Sequence, residues 1–510
     1  VFILIENDNL KTCSLRLLIG FCVALAPLWG DTIYEQGQLS STDGASGDRF
    51  GHAISIENGV AAIGAPFDDD NGINSGAAFL FDVSTGEQIF KLLPSDGEAG
   101  AEFGFSIAIS NGIVAVGARA DNEHGTNAGA SYLFDASSGD QLFKLTPDDA
   151  EAGDEFGNSI AIDDDIIAVG AWRADEFGDG SGAAYLFDAS TGNQLDKLLP
   201  PTGNNYQTFG VSIAIDDGLV AIGARTFFDL NEGYTFAKVH LFDVSTGSQL
   251  FELQPDILNY SGDLGGDFAD AVDIDNGLVA VGSPSRSVVW DFSGAAYIFD
   301  ASTGAQRHFI YPDEVDDRDH FGISVSMDNG VVVIGSQEDD DNGFDSGSAY
   351  IYNALTGEEM HQLLASDGAD FDLFGASVAI SGDVTVVGAK GYTESHTGSA
   401  YAYSGMTTGI EEMDSNLSKN FVLNRNYPNP FNPVTNLTYE LPTDAFVSIT
   451  IYDILGHVVN DLVHSVQESG YKSIQWNARN NQGQAVSPGV YLYTIQAGYH
   501  SETRKMILLK

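Results

Sequence analysis

The chain has 510 residues, two cysteines and a formal net charge of -52. Nearly all of that charge falls between positions 31 and 404, a field whose sign excludes nucleic acid and anionic membrane surfaces as partners, because both are bound through positive potential. Two cysteines cannot build a disulfide framework, so burial must hold the fold, and a chain of this length has ample core for it.

Both cysteines, Cys13 and Cys22, lie in an opening segment ordered like a secretory signal. Lys11 and Arg16 precede the apolar run 17–26, which is too short to span a bilayer and is followed by polar sequence. Residues 1–30 are therefore predicted to be a signal peptide, leaving a mature chain with no transmembrane segment.

From residue 31 a ruler governs the sequence. Phe50-Gly51, Phe103-Gly104, Phe156-Gly157, Phe209-Gly210, Phe268-Ala269, Phe321-Gly322 and Phe374-Gly375 head seven modules spaced 53, 53, 53, 59, 53 and 53 residues apart. A period of this size marks supersecondary units that bury their apolar faces only by stacking on neighbours. Each module reads as four short strands: in the third, 158–162 and 166–171 flank an Asp turn, 183–187 follows a loop, and 194–199 follows Ser190-Thr191-Gly192.

The ends of the array predict a closed ring. The seventh module stops after its third strand, 399–403, while Leu39 to Phe50 aligns with Leu92 to Phe103 and so supplies a fourth strand without its other three. Joining the two removes two sheet edges. The predicted fold is all-β: a seven-bladed β-propeller over 31–404.

The unit Phe-Gly-x-Ser-Ile-Ala-Ile, Asn-Gly or Asp-Gly, Val-Ala-Val-Gly-Ala, Ser-Gly-Ala-Ala-Tyr-Leu-Phe resembles the FG-GAP repeat of integrin-α-type propellers, with Gly64-Ala65-Pro66 carrying the second half of the name. That resemblance implies an extracellular adhesion or recognition role. The calcium loop of integrin-type blades is not carried over, because the connections at Glu57-Asn58-Gly59 or Asn111-Gly112 are too short to wrap a cation that needs six to eight oxygens. Longer acidic loops between second and third strands offer Asp68, Asp70 and Asn74, and Asp339, Asp341 and Asp345. Their oxygens either form solvated turns or chelate a cation such as Ca2+; no other cofactor is indicated.

Catalytic signatures are missing from the sequence. Its ten histidines form no His-Glu-x-x-His pair, and neither a Gly-x-Ser-x-Gly elbow nor a phosphate loop occurs. Ser55, Ser106, Ser159 and Ser212 repeat with the blades and are read as packing residues near the ring axis. The turn at Phe187-Asp188-Ala189-Ser190-Thr191-Gly192 is similar to that of quinone-binding propellers, although Phe90, Phe143 and Phe251 stand where those dock blades with Trp. A quinone-dependent oxidoreductase, or a polysaccharide-acting enzyme, is the alternative to the preferred reading of a non-enzymatic binding protein.

The irregular interval points to the working edge. The fourth module enlarges the loop face with Phe227, Phe228, Tyr234 and Tyr260, the fifth adds Trp290, and Arg225 and Arg286 stand nearby, a set suited to stacking sugars or anchoring a peptide.

Residues 405–425 read as a polar linker. Alternating strands then predict a small immunoglobulin-like β-sandwich over 426–510. Its opening Tyr427-Pro428-Asn429-Pro430-Phe431, the Ile-Tyr-Asp strand, Gly489-Val490-Tyr491 and terminal Lys510 resemble the C-terminal sorting domain of the type IX secretion system. The resemblance implies the type IX machinery as a partner, with the chain secreted or held on the outer surface of a Gram-negative bacterium, where its ligand is an extracellular protein or glycan.

Overall fold

The computed structural model describes residues 33–201, 207–225, 237–255, 267–288, 292–312, 317–392 and 396–405, and in the C-terminal part 422–423, 431, 433–441, 445–453, 457–467, 470–481, 483–497 and 500–508. The predicted signal peptide and nearly all of the linker lie outside these residues. Contacts divide the chain into two compact units, 1–406 and 407–510.

The first unit is seven antiparallel sheets of four strands each. The third shows the pattern: Phe156–Asp163, Ile166–Ala171, Ala183–Asp188 and Gln194–Leu198 pair in sequence order. First and second strands meet at tight turns in which Asn58, Asn111, Asn276 and Asn329 take φ between 48° and 51°, a left-handed conformation that Asn tolerates and the following Gly continues. The seventh sheet is completed as the sequence predicts. Tyr34–Leu39 lies antiparallel to Ser399–Ser404, with Gln38 opposite Tyr401 and Leu39 opposite Ala400.

Adjacent blades are tied at the axis by a repeated hydroxyl. Ser106 Oγ donates to Gly157 O at 2.8 Å, Ser159 to Gly210 at 2.8 Å, Ser212 to Ala269 at 2.7 Å, Ser324 to Gly375 at 2.9 Å, and Ser377 of the last blade to Gly51 of the first at 2.8 Å. One member of the serine series is corrected by this register. Ser55 sits two positions further along its strand, where its Oγ accepts the Ile109 N–H at 3.2 Å, and Ala53 takes the axial place in the first blade.

The Phe-Gly pair owes its identity to packing. Gly104 has φ 91°, and a Cβ there would meet Ala77 O at 2.3 Å, so a side chain is excluded by conformation and by space. The preceding aromatic anchors each blade. Phe156, fully buried, meets Tyr185 and Phe187 edge-on at 5.7 and 5.8 Å, and the same three-ring arrangement recurs around Phe50, Phe103, Phe268, Phe321 and Phe374. Phe90, Phe143 and Phe251 pack under the Gly139, Gly192 and Gly304 turns of the next blade. Those turns are held by their own aspartates, as Asp188 Oδ1 accepts the Ser190 and Thr191 N–H groups at 3.0 and 2.8 Å, so structure alone accounts for the Asp-x-x-Thr-Gly pattern.

The fourth blade departs by placing His240 against Phe209, at 5.5 Å, where other blades carry Tyr or Phe. Burial lowers the imidazole to about 4, although Glu252 opposes the shift. An unfolded histidine binds a proton near pH 6.5 that the folded one refuses, so stability is lost as pH falls from 6.5 towards 4, by roughly 2–3 kcal/mol. His240→Tyr, which restores the residue of the neighbouring blades, is expected to flatten that part of the profile. Denaturant melts at pH 7 and pH 4.5 check this; an equal acid loss in both proteins contradicts it.

The second unit is a sandwich. Thr435–Leu441 pairs with Val422–Leu423 and Gly470–Trp476 in one sheet, while Val458–Gln467, Ala445–Asp453, Gly489–Ala497 and His500–Leu508 form the other. Leu437, Tyr439 and Trp476 from the first meet Val447, Ile449, Ile451 and Tyr493 from the second in one core. Of the motif residues, Phe431 packs 5.6 Å from Trp476, and Tyr491 packs 5.2 Å from the same ring while donating its hydroxyl to Ser487 O at 2.6 Å. Gly489 opens the strand that carries Tyr491. Tyr427, Pro428, Asn429, Pro430 and Lys510 lie outside the described residues.

Candidate functional site

The loop joining second and third strands of one blade grips the entry to the next. Gly76, Gly129, Gly182, Gly294 and Gly347 bridge Phe103, Phe156, Phe209, Phe321 and Phe374, which places these loops and the blade-to-blade connections on one face. The acidic candidates lie here. In the first blade Lys91 Nζ sits 2.9 Å from Asp43, 2.9 Å from Asp68 and 2.7 Å from Asp70. Lys144 repeats the cage with Asp96, Asp121 and Glu123 at 2.7, 3.1 and 2.7 Å, and Lys197 with Asp149 and Glu176 at 2.6 and 2.7 Å. Burial alone would lower these ammonium groups, but the carboxylates around them carry each one upward.

In these three blades the cation that balances the loop carboxylates is therefore a lysine of the chain. Asp68 and Asp70 come together on Lys91, whereas Asn74 joins through its N–H, which donates to Asp69 Oδ1 at 2.7 Å. Each cage also ties the preceding connection to the blade, since Asp43, Asp96 and Asp149 belong to that connection.

The lysine position changes around the ring to Glu252, Phe309, Gln362 and Gln38. At Gln362 the loop stays acidic. Asp341 accepts the Gln362 amide at 2.7 Å, Asp339 accepts the Ser348 and Tyr350 hydroxyls at 2.7 and 2.8 Å, and Asp345 donates its N–H to Asp340 at 2.6 Å. Burial raises the Asp339 carboxyl, with Asp341 adding to it.

Two reciprocal substitutions follow. Lys91→Met leaves Asp68, with only 4% of its side chain exposed, without a counter-charge and is expected to cost about 3 kcal/mol. Gln362→Lys supplies the missing charge to Asp339 and Asp341 and is expected to add about 1 kcal/mol at pH 7. Equilibrium unfolding of both proteins checks the pair; a neutral Lys91→Met contradicts it.

Of the predicted ligand-binding residues, Phe227, Phe228, Tyr234, Tyr260 and Trp290 lie outside the described residues. Arg225 stands one residue past the strand Leu219–Ala224, at the position of Trp172 in the third blade, and pairs with Asp270, whose carboxyl is pushed up to about 8 by burial despite the guanidinium. Arg286 is buried, at the loop position of Asp68 and Asp339, and its backbone closes the loop through Gly294 N–H at 2.8 Å. The structure therefore does not gather Arg225 and Arg286 into a single cluster of exposed side chains.

It shows instead a groove of about 340 Å³ that the sequence did not single out, lined by Ala152, Gly153, Trp172, Arg173, Asp175, Gly180 and Thr208. Trp172 is half-buried; its Nε1 donates to Glu155 at 2.9 Å, and the Arg173 guanidinium lies over its ring at 4.6 Å while pairing with Glu155 at 2.9 Å. One aromatic wall, a guanidinium, a carboxylate, a hydroxyl and the backbone of two glycines thus meet at the junction of the third and fourth blades. A signal was present. The residue after the repeated Gly-Ala or Gly-Ser pair runs Pro66, Arg119, Trp172, Arg225, Pro284, Gln337 and Lys390, varying between modules where its neighbours repeat.

Residues 34–81, 87–134, 140–187, 305–352 and 358–403 match the FG-GAP repeat family, and residues 425–509 match the secretion system C-terminal sorting domain. Each matched repeat runs from the fourth strand of one blade to the third strand of the next. No curated protein matches the chain. Among solved structures it is similar to PorZ, an essential bacterial surface component of the type-IX secretion system of Porphyromonas gingivalis, at 15% identity and a TM-score of 0.45, covering 92% of this chain and 61% of that one.

Proposed function

Because the chain is an FG-GAP repeat propeller carrying a C-terminal secretion sorting domain, we propose that it acts outside the cell as a non-enzymatic recognition protein that captures an extracellular glycan on the loop face of its ring. The sorting domain directs it to the cell surface or the medium of a Gram-negative bacterium. The observation that supports glycan capture is the Trp172 groove. A sugar presents an apolar ring face and a rim of hydroxyls, and the groove offers an indole beside charged and backbone hydrogen-bonding groups.

The test is retention of the purified mature protein on an immobilised oligosaccharide panel. Trp172→Ala is expected to weaken capture by about tenfold or more, the loss of one stacking contact, while leaving the melting curve nearly unchanged. Binding unaffected by this substitution, or cleavage of the captured saccharide, contradicts the proposal.

A further inference from the structure

A second candidate lies where the seventh, first and second blades meet, at the residues flanking Phe50-Gly51 and those following Gly117-Ala118 and Gly388-Ala389. In a chain with only 21 basic residues, three of them, Arg49, Arg119 and Lys390, gather around His52. Packing brings them there. Ala389 N lies 3.4 Å from where a Gly51 Cβ would stand, so the next residues along, Lys390 and His52, lie side by side. The His52 ring is 4.7 Å from that of Phe105, and the Arg119 guanidinium lies over the same Phe105 ring at 3.5 Å while pairing with Glu102 at 2.7 Å. Arg49, held at φ 57°, lays its guanidinium over Phe67 at 4.7 Å.

The cluster is undercompensated. Among the described residues, Arg119 has its carboxylate, but neither the Arg49 guanidinium nor the Lys390 ammonium makes a hydrogen bond or ion pair. His52 Nδ1 is sealed from solvent without a partner. Burial, with Lys390, Arg119 and Arg49 around it, drives the imidazole well below its ordinary value, so it is neutral. Burial, with Arg49 adding to it and Glu338 opposing, lowers Lys390 to about 8. His52 and Lys390 both keep some accessible surface. Unpaired cations enclosed by protein cost stability unless an anion joins them.

We propose that this cluster is a binding site for the carboxylate of a singly charged organic ligand, received by Arg49 and Lys390. A net charge of -52 repels polyanions at long range and leaves a lone carboxylate, on an otherwise neutral molecule, as the anion that reaches the cluster. A guanidinium and an ammonium together provide charge-assisted bonds to its two oxygens. The site uses none of the residues that line the Trp172 groove, so its test is independent of that reading.

D-glucuronate and N-acetyl-aspartate α-amide, each carrying one carboxylate, serve as probes, with D-glucose as the neutral control. Calorimetry on the full mature chain is expected to show binding of at least one carboxylate, weakening with salt, and no binding of glucose; which probe wins assigns the source as acidic sugar or acidic peptide. Lys390→Met and Arg49→Met are each expected to weaken it at least tenfold, and Lys390→Arg to retain it. The unliganded melting temperature separates this from a structural role: Lys390→Met is expected to raise it, because an uncompensated charge is removed. Failure of both carboxylates to bind, or a Lys390→Met protein that binds unchanged or melts lower, overturns the proposal. Loss of saccharide capture in Trp172→Ala with carboxylate binding intact leaves it standing.

Discussion

Deletion of residues 426–510 is expected to leave a folded propeller that no longer reaches the cell exterior. The two halves of that result rest on different links. The first unit closes on itself: the strand Tyr34–Leu39 completes the seventh sheet and Ser377 bonds back to Gly51, so among the described residues its seven sheets take all their strands from residues 34–404. The second unit has its own core around Trp476, into which the sorting-motif residues Phe431 and Tyr491 are built. Their packing makes them part of the sandwich that the secretion machinery must recognise. Fractionation of cells making the full-length and truncated proteins should show the full-length form outside and the truncated form retained; equal extracellular yield contradicts the assignment of this unit as the sorting signal.

Phe156→Ala is expected to carry the largest stability loss of any single substitution in the ring, about 3–5 kcal/mol. Phe156 is fully buried and meets both aromatic residues of its blade edge-on. It also stands beside Gly157, whose carbonyl accepts the Ser106 hydroxyl of the preceding blade, so a cavity here loosens a blade junction as well as a blade core. The φ of 89° at Gly157 admits no compensating side chain from the neighbouring position. Urea or guanidinium unfolding monitored by tyrosine and tryptophan emission gives the number. A loss below about 1 kcal/mol would mean that the rings are not the anchors of the blades.

The parts of the fold that repeat were legible because repetition exposes their physical cause. Glycine after Phe, Asn-Gly turns and the displaced fourth strand each answer to one conformational or edge-pairing requirement, and the structure meets them at Gly104, Asn58 and Tyr34–Leu39. The site was less legible. The pairing of Lys91, Lys144 and Lys197 with loop acids 21 and 48 residues earlier becomes visible only once the blade is folded, because cross-strand register and a blade-to-blade connection bring together residues far apart in sequence. Acidic loops read alone left a solvated turn or an external cation open; the lysine that balances three of them lies two strands away. Arg225 was read as a ligand group from its loop position, yet one residue after the strand end its guanidinium is taken up by Asp270 of the next blade. Trp172 went unremarked because a single tryptophan in a regular module has no periodic signal, and only the groove formed with Thr208 of the next blade gives it a context.

The account stands or falls on where a ligand touches the ring. Hydrogen exchange of the mature protein, with and without the oligosaccharide retained most tightly by the panel, measures this directly. Protection is expected in 152–155, 172–182 and 207–210, the segments that build the Trp172 groove, with the hairpins at 57–60 and 110–113 on the opposite face unchanged. Protection confined to the hairpins or to the outer strands, or no saccharide-dependent protection in the ring, would contradict recognition through the loop face.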